Sequence, residues 1–180
     1  MIASTSADTG LAARLREEFD RTFAVAADLR RTQSSHLLAI RIGGDPYALL
    51  VSEITGLHPD RTVVPVPASI PEFSGIAGIR GELVPVYSLA AMMGYERPEK
   101  KLRWLALCGA GQMLGLAFDD FERHLTLSGH QITAAEQSNH AEHVQAIAHS
   151  DDVARPIINI PSILAAIARR CATVALSKEK

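Results

Sequence analysis

Two stretches of this chain repeat one another, and the repetition limits the fold more than any other feature. Leu37-Leu38-Ala39-Ile40 returns as Trp104-Leu105-Ala106-Leu107, and in both copies a glycine-containing turn leads into a second apolar strand. That strand is Tyr47 to Val51 in the first copy and Leu114 to Phe118 in the second, at the same offset. Further on, Pro85 to Leu89 matches Pro156 to Ile160, with Ser88 and Asn159 each placed to cap a short apolar helix. Within the first copy Leu38, Ile40 and Ile42 alternate, Gly43-Gly44-Asp45-Pro46 supplies a turn, and Tyr47, Leu49 and Val51 resume, which is a β-hairpin. Pro65 and Pro67 border the extended stretch Thr62 to Val66 and mark it as an edge or a strand end. Gly75 to Arg80 and Glu82 to Tyr87 complete the strands, and a short helix, Leu89 to Met93, ends at Gly94. Each copy is too small for a large sandwich and reads as a small barrel.

The expected layout is therefore a mainly β domain over residues 35–170. A first barrel covers 35–97 and a second 98–170, with strands free to exchange between them; the polar linker from Gly94 to Lys101 marks the boundary. Residues 171–180 are expected as a tail. Residues 1–34 form a separate extension in which Leu11, Leu15, Phe19 and Phe23 recur every four residues, predicting an amphipathic helix over Leu11 to Arg31. Its apolar stripe needs cover from the body, a second copy or a partner.

Composition removes several function classes. The net charge of −2 offers no basic field to neutralise phosphates, so no nucleic acid is expected as a partner. No apolar run approaches the roughly 20 residues of a membrane span, and the first ten residues lack the charged and apolar regions of a signal peptide, so the expected location is the cytoplasm, without membrane insertion. Cys108 and Cys171 lie far apart and form no CxxC pair, so both read as free thiols. Among the seven histidines only His140 and His143 are close enough to share a helix face, and no third ligand recurs at a matching spacing. Asp119 and Asp120 are adjacent, which in a strand sends them to opposite faces, whereas acid–base pairs must converge. There is no nucleophile elbow, Walker lysine or dinucleotide fingerprint. The residues point to binding rather than catalysis, with no cofactor and no metal.

The stretch from Gly75 to Leu89 sharpens this. It runs glycine, apolar strand, Arg80-Gly81, then Val84-Pro85-Val86 and a capped helix, and it resembles the signature of the CheW family of chemosensory adaptors. The likeness extends through Tyr47 to Val51, Gly115 to Asp119 and Ile157 to Ile160, covering roughly His36 to Ile167. The resemblance implies two five-stranded SH3-like barrels, no catalysis, and a bridging role between methyl-accepting receptors and the regulatory domain of a CheA-type histidine kinase. One face would join the kinase while the groove between barrels holds the receptor's cytoplasmic hairpin tip.

Candidate protein-binding residues follow. Arg80, between Ile79 and Gly81, sits where a tight turn would present an always-charged side chain beside apolar surface, and the resemblance gives it importance in assembly; the alternative is an arginine that packs its stem and pairs with Glu82 or another acid. Gly75 opens the signature. Ile54 matches a position that the resemblance connects with kinase contact, although an isoleucine there is equally a core residue. Some positions depart from the family pattern. Gly56 stands where a glutamate is usual after the second strand, Gly78 replaces an asparagine, and Ser88 replaces an aspartate that serves equally well as a cap. Arg103 and His124 stand at usually apolar positions of the second barrel, making a receptor groove there more polar. With the added helix, these departures read as a divergent adaptor for a dedicated pathway such as pilus-based motility. The competing readings are an SH3-like module for nucleic acid or an unrelated protein, and a small hydrolase or metal enzyme using the histidines.

Overall fold

The computed structural model describes residues 34–95, 103–109, 111–135 and 142–177. The predicted Leu11 to Arg31 helix, His140 and most of the inter-repeat linker lie outside these residues. The chain divides between Ser34 and Ser35, and the second unit is described here.

Alternating apolar residues build its strands in chain order. In the first repeat these are β1 (Ser34–Ile42), β2 (Asp45–Leu50), β3 (Gly56–Pro59), β4 (Val63–Val64), β5 (Phe73–Ile79) and β6 (Glu82–Ser88), followed by α1 (Leu89–Met92). The second repeat supplies β7 (Trp104–Cys108), β8 (Leu114–Phe118), β9 (Asp120–Ser128), β10 (Ile132–Ala134), β11 (Val144–Ser150), β12 (Val153–Ile158) and α2 (Ile160–Ser177). They form two six-stranded sheets. The first runs β9-β1-β2-β12-β11-β10 and the second β3-β7-β8-β6-β5-β4. Advancing the numbering by six maps one order onto the other, so the repeat read from the sequence is present in the topology. The sixth strand of each, beyond the five expected, is a short edge piece: β4 has 2 residues and β10 has 3.

The strand orders also show that neither repeat builds a sheet alone. The β1–β2 hairpin of the first repeat lies in the sheet of the second, and the β7–β8 hairpin lies in the sheet of the first. Parallel contacts join the lent hairpins to their hosts, with Ala48 beside Ile157 and Leu49 beside Ile158, and equivalently Gly115 beside Val86 and Leu116 beside Tyr87. This shared register corrects the repeat alignment by one residue. Leu38 pairs with Leu49, and Ala106 pairs with Leu116, so Leu38 corresponds to Ala106 and His36 to Trp104; the second hairpin's loop is one residue shorter. In a pleated strand such a slip reverses every side chain's face.

The faces sort the core into three parts. Leu37, Ala39, Ala48 and Ile157 pack inside the first sheet with Leu125 and Leu127. Leu105, Leu107, Ala117, Val84 and Val86 pack inside the second with Ala77 and Ile79. The alternate residues of the lent hairpins, Leu38, Ile40, Ile42, Leu49, Leu116 and Phe118, meet in a shared core closed by Leu89, Ile160 and Ile163. Strands buried on both faces account for the nearly unbroken apolar runs of β1, β7 and β8.

Both expected caps form. The Ala91 N–H donates to Ser88 Oγ at 3.3 Å, and the Ser162 N–H donates to Asn159 Oδ1 at 2.9 Å. The helix after Asn159 is not short, however. It has 18 residues, so Cys171 to Ser177, expected as a tail, are helical. Pro161 lies in the first turn, where its missing N–H costs nothing.

Candidate protein-docking site

Arg80 and Gly81 form the two-residue turn between β5 and β6, with Ile79 facing Glu82 across it. Their φ angles, 51° and 86°, are both positive, the backbone of a type I′ hairpin, which suits glycine and strains arginine. Arg80 is exposed and, among the described residues, makes no ion pair. The pairing with Glu82 weighed above is absent there.

The other candidates divide between support and surface. Ile79 is 4% exposed and belongs to the second sheet's core, so it holds the turn in place and does not line the surface. Gly75 sits at a bulge with φ 136°, and a Cβ there would lie 2.1 Å from the Val64 carbonyl oxygen; no other residue fits. Ile54 is half-buried against the shared core. Gly56 pairs with Leu107, and its bare Cα leaves room for His58 Nε2, 3.2 Å from where a Cβ would stand.

Glu53 follows β2 directly, in a 3-10 turn over Val51–Glu53. Its Oε2 accepts from the Ile160 N–H at 3.2 Å and its Oε1 from Gln145 Nε2 at 3.3 Å, tying β2 to the start of α2. A carboxylate at a helix N-terminus satisfies an otherwise unpaired N–H and opposes the helix dipole.

The structure does not bring Arg103 and His124 together. Hairpin exchange leaves Arg103 at the start of β7, in the second sheet, whereas His124 lies on β9, in the first. Arg103 is exposed but balanced by Asp60 at 3.6 Å and Asp120 at 3.9 Å. His124 stacks on His36, with ring centroids 5.4 Å apart and planes 17° from parallel.

Sequence reading missed the feature that completes the site. The large hydrophobic residues left exposed among the described residues are Val64, Val66 and Leu83, all on β4, β6 or the chain just after β4. Because Val84 and Val86 point inward, Leu83 must point out, opposite Gly78. The strand alternation contained that signal. Gly78, noted only as a departure, leaves the wall beside Leu83 uncovered.

Other titratable groups among the described residues are engaged within the protein. Burial, with help from Glu53, pushes the Cys108 thiol up to about 12. Burial and a hydrogen bond with Cys171 push the Tyr87 hydroxyl up to about 12. His143 is buried against Ser162 Oγ at 2.9 Å and held below its ordinary value, chiefly by desolvation. Asp119 and Asp120 diverge, the first accepting from the Gly43 N–H at 2.6 Å and the second lying near Arg103. Among the described residues, no three metal-ligating side chains converge, and no helix is long and apolar enough to cross a membrane.

With this arrangement in view, the CheW-like domain family matches residues 36–168. The chain belongs to the CheW-like family. Its fold is that of the crystal structure of the scaffolding protein TtCheW from Thermoanaerobacter tengcongensis, with a TM-score of 0.62 and 21% sequence identity over 69% of this chain and 88% of that one. No curated protein is matched. At that identity the structural likeness carries the two-sheet architecture. The family match spans both repeats and both lent hairpins, so this CheW-like chain holds the complete reciprocal arrangement, and Arg80 lies within the matched region.

Proposed function

We propose that this CheW-like protein is a non-catalytic, cytoplasmic adaptor that couples methyl-accepting chemosensory receptors to the regulatory domain of a CheA-type histidine kinase. The observation that carries the reading is the β5–β6 tip, where an arginine without an acidic partner among the described residues is held on strained backbone next to exposed Leu83. A cation kept at a costly φ serves binding better than stability. Ile79, Gly75 and Gly81 support the tip, and Ile54 and Glu53 brace the segment between β2 and β3. Family membership agrees with a role exercised through surfaces.

The test is a co-sedimentation assay using receptor-containing membranes, the kinase and this protein. The adaptor reading predicts that kinase enters the pellet only when the protein is present, and that Arg80→Glu, with an unchanged circular dichroism spectrum, weakens this recruitment at least tenfold. Recruitment independent of the protein contradicts the reading.

A further inference from the structure

The surface around Arg80 specifies the chemistry of what it meets. On the outer wall of the second sheet, Val64 stands opposite Ile76, which stands opposite Pro85, while Leu83 stands opposite the bare Gly78. Val64 is 59% exposed, Val66 41% and Leu83 78%. Water-facing side chains of this size, with Val64 and Leu83 on the same face of the sheet, mark an interaction surface. Pro65 and Pro67 prevent the chain after β4 from accepting a further strand, so docking must proceed through side chains.

Arg61 and Arg80 both lie within electrostatic reach of His58, on the strand that precedes β4. Arg61 Nη2 is 3.5 Å from His58 Nδ1. A guanidinium only donates, so Nδ1 accepts and the ring hydrogen is on Nε2. That Nε2 is buried without a partner among the described residues. Burial first, then Arg61, then Arg80, holds His58 below its ordinary pKa. Among the described residues neither Arg61 nor Arg80 forms an ion pair, Asp60 is engaged with Arg103, and Glu82 pairs with neither arginine.

We propose that Val64, Leu83, Arg61 and Arg80 form one docking surface for an apolar face flanked by carboxylates on a partner protein, which on the adaptor reading above is the kinase's regulatory domain. The apolar wall supplies contact area, and the two arginines, free of internal acids, select a partner of opposite sign and speed its approach. Arg61 is the new element, since it lies outside the signature that contains Arg80.

Calorimetric titration of the full-length protein against the purified regulatory domain, at low and high salt, tests this. Leu83→Asp and Arg61→Glu should each weaken binding at least tenfold, wild-type affinity should fall as salt rises, and Arg61→Ser should reduce that salt dependence. Arg169→Ser, at an exposed position of α2, should bind as wild type. Leu83→Ser and circular dichroism guard against an unfolded variant. Wild-type binding that is indifferent to Leu83 and Arg61 overturns the proposed surface while the adaptor reading stands. Failure of the wild type to bind either kinase or receptor removes the adaptor reading itself. Self-association in sedimentation that Arg61→Glu abolishes, without kinase binding, makes a second copy the occupant and overturns the proposal.

Discussion

The two sheets follow one plan, yet their equivalent hairpin tips carry opposite charge. Arg80 and Gly81 join β5 to β6, while Asp151 and Asp152 join β11 to β12; all four residues have positive φ, between 50° and 86°. Asp151 is engaged within the protein by Arg123 and Ser150, and its hydrogen bond from Arg123 holds its carboxyl below the usual range. Arg80 has no such partner among the described residues. A second contrast lies deeper. The position of Val84 in the second sheet is taken by Arg155 in the first, 4% exposed, reaching Glu122 at 2.8 Å while Glu122 also holds Arg41 at 2.6 Å. Arg155 Nε and Nη1 have no partner among the described residues. The duplicated backbone thus conserves turns and register while allowing one sheet to bury charge and the other to display it.

The largest expected effect tests what the sheets share. Phe118→Ala should destabilise by about 3–5 kcal/mol in urea unfolding, because Phe118, on a lent hairpin, fills the common core; loss confined to one sheet, seen as two separate transitions, would break the idea of reciprocal dependence. Next comes the buried ion pair. Glu122→Ala should cost about 3 kcal/mol by leaving Arg155 buried and unbalanced, whereas Arg155→Leu with Glu122→Gln, which makes the first sheet resemble the second, should be neutral or stabilising. Equal losses from both would remove the contrast.

Titration separates the sheets differently. His58 in the second and His143 beside the first are both held below their ordinary 6.5. The unfolded chain therefore binds protons that the fold resists, so stability should fall as pH drops below about 6.5 and stay level above it. His143→Gln and His58→Gln should each flatten part of that slope in denaturation curves measured across pH.

The smallest effect concerns the strained turns. Arg80→Asn and Asp152→Gly should each stabilise by about 0.5–1 kcal/mol, since both replacements favour positive φ, but only the first should weaken kinase binding.

How much of this was legible in the sequence depended on the range of the interaction. Local signals survived: the Gly43–Gly44 turn, the caps at Ser88 and Asn159, and the equivalence of Val86 with Ile157. Exchange between the barrels was open in the sequence, but which hairpin goes where was not, because Ala48 beside Ile157 is a contact between residues more than a hundred positions apart, and either sheet could have accepted either hairpin by its pattern. The one-residue slip between Leu38 and Ala106 arose because apolar residues face both ways in β1 and β7, leaving no polar face to fix the register. The length of α2 was hidden by small residues such as Ala165, Ala166 and Ala172, which form helices readily but give a weak apolar stripe. At the site, Arg80 and its turn were readable, whereas Ile79, counted with the binding residues, is buried in the second sheet's core.

The most direct test of the account sets the two tips against each other: titration of the kinase regulatory domain with wild type, Arg80→Glu and Asp152→Arg, each confirmed as folded. The account predicts strong loss for Arg80→Glu and wild-type affinity for Asp152→Arg. Equal affinity for all three proteins would contradict it and move the docking surface away from the β5–β6 tip.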